Sequence, residues 1–160
     1  ITELLDFTRI KALDRKSVLV PDLVREALER YPLPPQVFLV LEIPNNLPPV
    51  HADTYHVVQV IGNLTLNACQ SMADDGKLTI SASAQSDMIS IAVQDTGTGI
   101  LPENMHKLFE PLFTTKNKGI GLGLAVSQKL AEANGGHIEV LSQPGEGSTF
   151  TLFLPIFGRE

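Results

Sequence analysis

Between Asp53 and Met72 the apolar residues Val57, Ile61, Leu64, Ala68 and Met72 recur at the spacing of one α-helix face, while Gln59, Asn63, Asn67 and Gln70 line nearly the opposite face. The spacing predicts one long helix with Asp53 as its N-cap. Its apolar stripe has to be buried against another layer. The amide stripe is costlier, because a solvated face is ordinarily built from Glu and Lys, and Asn costs up to about 0.7 kcal/mol relative to Ala in a helix. The amides are therefore read as functional, with a plain solvated face as the competing reading. Asn63 and Asn67 stand one turn apart, so their carboxamide oxygens could reach a common point as neutral ligands for Mg²⁺.

The rest of the chain is punctuated around that helix. Seven of the eleven prolines fall between Pro21 and Pro49, and ten of the twelve glycines from Gly97 onward. Residues 1–13 read as an amphipathic helix whose apolar side needs the domain body or a second copy. Pro21-Asp22 opens a helix to about Arg30. Val37 to Ile43 is a short apolar strand, and Lys77 to Ala84 and Met88 to Val93 form a hairpin about Gln85-Ser86-Asp87. Residues 97–118 read as a long loop with a short helix near Glu103 to Leu108, a length that is usually functional or disordered. Leu122 to Asn134 is a helix closed by Gly135-Gly136, and His137 to Leu141 and Ser148 to Leu154 are strands about Pro144 to Gly147. Helices mixed with hairpin-joined strands imply an α/β (α+β) two-layer sandwich, one mixed sheet covered on one face by helices.

Composition narrows the function. At 160 residues there is room for one domain, with a core that needs no disulfide or structural metal. Cys69, the single cysteine, can supply neither. Twelve Lys and Arg against eighteen Asp and Glu, with no basic run, make nucleic acid a poor partner. No apolar stretch approaches the ~20 residues of a membrane span, so no membrane contact is expected of this chain. It opens at Ile1 without an initiator Met or a signal segment, which suggests a piece of a longer protein.

Two glycine-rich segments carry candidate chemistry. Gln94-Asp95-Thr96-Gly97-Thr98-Gly99-Ile100 puts a carboxylate at the end of a strand before two alternate glycines. One reading is a tight turn with a capping Asp. The other is an adenine site, with Asp95 accepting from the exocyclic amine and Gly97 and Gly99 letting the backbone approach a flat ring. Gly119-Ile120-Gly121-Leu122-Gly123-Leu124 precedes a helix, where unpaired N–H groups and the positive dipole end can hold phosphates. Close helix–sheet packing is the alternative for these glycines. No G-x-x-x-x-G-K-[ST] is present, and G-x-G-x-G lacks the third glycine position of the dinucleotide fingerprint.

The order Asn63-Leu64-Thr65-Leu66-Asn67-Ala68, Asp95 to Ile100, Leu108-Phe109-Glu110-Pro111-Leu112-Phe113-Thr114-Thr115-Lys116 and Gly119 to Leu124 closely resembles the N, G1, F and G2 boxes of two-component sensor histidine kinases. These belong to the GHKL ATPase superfamily. The resemblance spans about residues 20–157, and the Phe109-to-Lys116 wording is most similar to the nitrogen-regulation-like branch. It implies a Bergerat-type ATP-binding fold over residues 20–160, with residues 1–19 the tail of a dimerisation helix and its linker. By the same resemblance Asn67 coordinates Mg²⁺, supported by Asn63. Asp95 holds the adenine amine in a pocket shaped by Gly97, Gly99 and Ile100, and Thr149 joins a water network to the base. Residues 101–118 form a lid anchored by Phe109 and Phe113, with Thr115 and Lys116 near the phosphates. Gly119, Gly121, Leu122, Gly123 and Leu124 cradle the triphosphate.

Two departures qualify the resemblance. Many members carry a basic residue where this chain has Gln70. The phosphoacceptor histidine is usually followed by an acid, whereas His51, His56, His106 and His137 are followed by Ala, Val, Lys and Ile. The implied function is the ATP-binding catalytic domain of a sensor histidine kinase, donating the γ-phosphate of ATP to a histidine on a dimerisation domain outside these residues. Its implied partners are that domain, a response regulator and a second copy in a cytoplasmic homodimer. The competing classes are a GHKL ATPase or ATP-gated clamp, a Ser/Thr kinase of the anti-sigma type, and an interaction module without nucleotide. Clamp-type relatives usually carry Glu where Asn63 stands, since hydrolysis needs a base.

Overall fold

The computed structural model describes residues 12–72, 75–110 and 123–160. Its order is β1 (Lys16–Val18), α1 (Val20–Arg30), β2 (Val37–Glu42), β3 (Val50–Ala52), α2 (Thr54–Ser71), β4 (Gly76–Gln85), β5 (Met88–Gln94), α3 (Pro102–Met105), α4 (Gly123–Ala133), β6 (His137–Gln143) and β7 (Gly147–Pro155). The expected helix at residues 1–13 falls almost wholly outside the described residues.

Five strands form one mixed sheet in the order β2-β4-β5-β7-β6, with β2 parallel to β4 and the other pairs antiparallel. A hairpin turn of two residues, Ser86 and Asp87, joins β4 to β5, and Ser86 has a φ of 57°. The first residue of such a turn commonly takes a positive φ, to match strand twist. The parallel pairing of β2 with β4 requires a crossover, and α2 supplies it.

Period-two patterning decides which sheet face is covered. On β4, β5 and β7 the residues Leu78, Ile80, Ile89, Ile91, Val93, Phe150, Leu152 and Leu154 are all buried to 1% exposure or less. Against them pack Val57, Ile61, Leu64 and Ala68 of α2, the stripe the sequence spacing selects, together with Leu23, Val24 and Ala27 of α1. Pro21 in the first turn of α1, Asp22 beside it and Arg30 in the last turn suit the helix ends. The helices lie side by side with α2 central, between α1 and α4. Gly62 makes room for α1, since a side chain there would strike the ring of Tyr31. This is the expected two-layer sandwich.

One part of the architecture differs from the sequence reading. Lys16–Val18, expected within the linker, and Val50–Ala52, for which no element is expected, pair antiparallel as β1 and β3. Arg15 ties this ribbon down, donating to the His51 carbonyl at 3.0 Å and to Glu160 Oε1 at 2.8 Å. Burial pushes the Glu160 carboxyl up, but hydrogen bonds from His51 and Arg15 and their charges outweigh it and hold it below its usual value.

Candidate functional site

The site is built where α2 ends, β5 ends and the β6–β7 turn returns. Asp95 follows β5 and is 2% exposed. Its backbone N–H donates to the Ser148 carbonyl at 2.8 Å, which continues the β5–β7 ladder past the strand end. Its Oδ1 accepts from the N–H of Gly97 at 2.8 Å and of Ser148 at 3.3 Å. Oδ2 is buried beside it. A carboxylate this enclosed is oriented by backbone rather than by water, so its second oxygen presents a fixed acceptor.

The glycines around Asp95 are needed for a reason the sequence did not reveal. A side chain on Gly97 would strike the Ser71 backbone and hydroxyl at the end of α2. One on Gly99, at φ 75°, would strike Gln143 and Pro144, and one on Gly147, at φ 99°, the carbonyl of Asp95. Close approach of protein to protein therefore fixes these positions. Thr98 N–H donates to the Ser71 carbonyl at 3.2 Å, Gly145 N–H to the Thr98 carbonyl at 2.7 Å and Ile100 N–H to Ser142 Oγ at 2.8 Å. The 95–100 loop is thereby laced between α2 and the β6–β7 turn.

Thr149 does not share the Asp95 side of the sheet. It pairs with Gln94 and Leu141, so it lies on the face opposite the helices. The hydroxyl beside Asp95 is that of Ser148, which is 6% exposed and 2.9 Å from Ser142 Oγ. The parity was legible: Phe150, Leu152 and Leu154 mark the even positions as inward, and Ser148 with them.

The amide stripe is covered at its start. Gln59 and Asn63 are buried to 9% and 8% exposure, Asn67 is half-buried and Gln70 exposed. Asn63 Nδ2 donates to Ser127 Oγ at 3.2 Å and to the Gly123 carbonyl at 3.3 Å, both on α4. Asn63 is thus anchored to the neighbouring helix, one turn from Asn67. No group of three or more His, Cys, Asp or Glu able to hold a metal occurs among the described residues. Neutral carboxamides suit a hard cation that brings most of its oxygen ligands with it, as Mg²⁺ does on a polyphosphate. On that chemistry Asn63 and Asn67 fit the metal expected of them.

Leu124 is partly buried against the core, and Gly123 opens α4. In the segment expected as a lid, α3 covers Pro102–Met105, Leu108 is buried, and Phe109 packs partly against the core. Phe113, Thr115, Lys116, Gly119, Gly121 and Leu122 lie outside the described residues. His56 is buried beside Asp53, His51 contacts Glu160 and Phe157, and His137 stacks on Phe153. These three are held in structural contacts.

Cys69 sits on α2 near this carboxylate. Burial and then the negative charge of Asp95 raise its thiol pKa above the ordinary value. Only the thiolate is nucleophilic, so a raised pKa slows reaction at this sulfur. Iodoacetamide alkylation of the folded chain is expected to be slow, with a pH midpoint above that of a free cysteine. A midpoint at or below the free value would contradict the burial of the thiol first, and the nearness of Asp95 with it.

The chain belongs to the histidine kinase-, DNA gyrase B-, and HSP90-like ATPase family, whose model matches residues 52–157. It is 39% identical over 160 residues to the signal transduction histidine-protein kinase AtoS of Escherichia coli (strain K12), covering 98% of this chain and 26% of that protein. It is 45% identical over 112 residues to the sensor histidine kinase ZraS of the same strain, covering 70% of this chain and 24% of that one. It thus spans about a quarter of these two relatives. Full-length ShkA, crystallised in complex with AMPPNP, superposes with a TM-score of 0.84 at 27% identity, over 99% of this chain and 35% of that one. The nucleotide-free catalytic domain of the histidine kinase ThkA gives 0.77 at 27% identity, over 90% of this chain and 97% of that one.

Proposed function

We propose that this chain is the ATP-binding catalytic domain of a sensor histidine kinase, and that it presents the γ-phosphate of ATP·Mg²⁺ to a histidine on a partner dimerisation domain for relay to a response regulator. The observation that carries the reading is Asp95. It is a buried carboxylate oriented by two backbone N–H groups at the end of a strand, on a fold shared with full-length ShkA, crystallised in complex with AMPPNP.

Asp95 Oδ2 accepts the adenine amine, and the Ser148 hydroxyl, rather than Thr149, joins the base's water network. Asn67 and Asn63 supply carboxamide oxygens to Mg²⁺, which neutralises phosphate charge when bound. Gly119, Gly121, Leu122, Gly123 and Leu124 stand at the phosphate end, with Phe113, Thr115 and Lys116 in the closing segment. Phosphoryl transfer needs mainly positioning and charge neutralisation, and the 160 residues need supply no base for it. Asn63 cannot take a proton from water, which favours transfer to a protein over rapid hydrolysis.

No helix among the described residues is long and apolar enough to cross a membrane. We place the domain in the cytoplasm, where its nucleotide is, in a protein that works as a homodimer.

Incubation with radiolabelled ATP and Mg²⁺ tests the reading. Label is expected on a separately supplied helical hairpin bearing a phosphoacceptor histidine, taken from the full-length protein, and not on the 160-residue chain. Stoichiometric phosphohistidine on the chain itself, or free phosphate as the sole product, would contradict it.

A further inference from the structure

A buried polar seam runs between α2 and α4, on the side of α2 turned away from its apolar stripe. At one end Asn134, fully buried after the last turn of α4, accepts from the Asp53 N–H at 2.7 Å. Asn134 Nδ2 donates to the Leu130 carbonyl at 2.8 Å and lies 3.5 Å from His56 Nδ1. At the other end stand Asn63, Ser127 and the Gly123 carbonyl. Two apolar helix faces could slide along one another; two hydrogen-bonded ends fix the register of α4 on α2. The seam ends at Gly123, the first residue of α4.

We propose that Ser127 is a positioning residue for the nucleotide–metal complex, acting through Asn63. The inference rests on the ATP·Mg²⁺ reading of the site. Ser127 is 0% exposed and touches no ligand position itself. Its effect follows from the geometry of a carboxamide. The Gly123 carbonyl can only accept, so the Asn63 atom facing α4 is the nitrogen. The group is planar, so committing Nδ2 to Ser127 and Gly123 fixes where Oδ1 lies. Without the hydroxyl only the 3.3 Å contact to the Gly123 carbonyl holds the amide, so turning its NH₂ toward the cation, which repels it, costs less. A hydroxyl buried at this point of α4 also costs free energy unless bonded, so an apolar residue would serve packing better.

The test is equilibrium binding of a fluorescent ATP analogue to Ser127→Ala, Asn63→Ala, the double variant and the unaltered chain, each with Mg²⁺ and with chelator. Adenosine binding and thermal melting are measured alongside. Ser127→Ala is expected to cut the affinity gained from Mg²⁺ by about five- to tenfold. Adenosine affinity should stay within about twofold, and the Ser127 change should add nothing in the Asn63→Ala background. An undiminished Mg²⁺ gain overturns the inference, as do additive losses or an equal loss of adenosine binding. If the unaltered chain binds no ATP at all, the nucleotide reading itself fails and the role of Ser127 with it. If it binds ATP with a normal Mg²⁺ gain that Ser127→Ala leaves intact, only the positioning role is lost.

Discussion

Asp95→Asn is expected to weaken ATP and ADP binding by about a hundredfold while the chain stays folded. Gly97 and Ser148 both present N–H donors to Oδ1. In the variant the carboxamide must turn its own oxygen to them, which leaves its NH₂ where Oδ2 was. A donor then meets the donor of the adenine amine. Loss of a hydrogen bond to a charged acceptor is worth about 1.5–3 kcal/mol, and 2.8 kcal/mol corresponds to a hundredfold. Because both backbone donors keep an acceptor, melting should fall by only a few degrees, equivalent to about 1 kcal/mol. Calorimetry against ATP with Mg²⁺ on both chains checks it. Unchanged affinity would remove Asp95 from the site.

Gly147→Ala should instead damage the fold. Gly147 has a φ of 99°, and an added methyl would meet the carbonyl of Asp95, a backbone atom with nowhere to move while β5 and β7 stay paired. The left-handed backbone alone costs an alanine roughly 1–2 kcal/mol. With the clash the total should reach about 3 kcal/mol, and at ~2–4 °C per kcal/mol for a chain of this size the melting point drops by ~6–12 °C. Gly145→Ala in the same turn is the control for the clash, because it has a positive φ of 82° but open space around it. It should lose only the conformational part. Equal losses would mean that Gly147 serves its turn and not the approach of Asp95 to Ser148.

Long periodic elements were legible in the sequence and short or tertiary features were not. The α2 stripe and the β4–β5 hairpin each repeat their period several times, so residue spacing alone identifies them. Three residues, as in β1 and β3, contain no period, and pairing across 30 or more positions decides those strands. The amide stripe was visible as an anomaly. Its cover was not, because whether Asn63 meets water, metal or another helix depends on where α4 lies. The Asp95 loop shows the same limit. Glycines at 97 and 99 signal that side chains are excluded there, but only the fold shows that Ser71 and Gln143 exclude them. Thr149, the residue the resemblance points to, and Ser148 face opposite sides of the sheet, because a one-residue step on a strand exchanges its two faces.

The account depends most on recognition of the purine amine by a buried carboxylate. Calorimetric titration of the folded chain with ATP and with inosine triphosphate, both with Mg²⁺, tests it most directly. The two ligands share sugar, phosphates and metal, and differ where adenine carries an amine and hypoxanthine a carbonyl. Saturable binding of ATP is predicted, with inosine triphosphate at least about fiftyfold weaker because its carbonyl would face the Asp95 carboxylate. Equal affinity for the two, or no heat from either, would contradict the account.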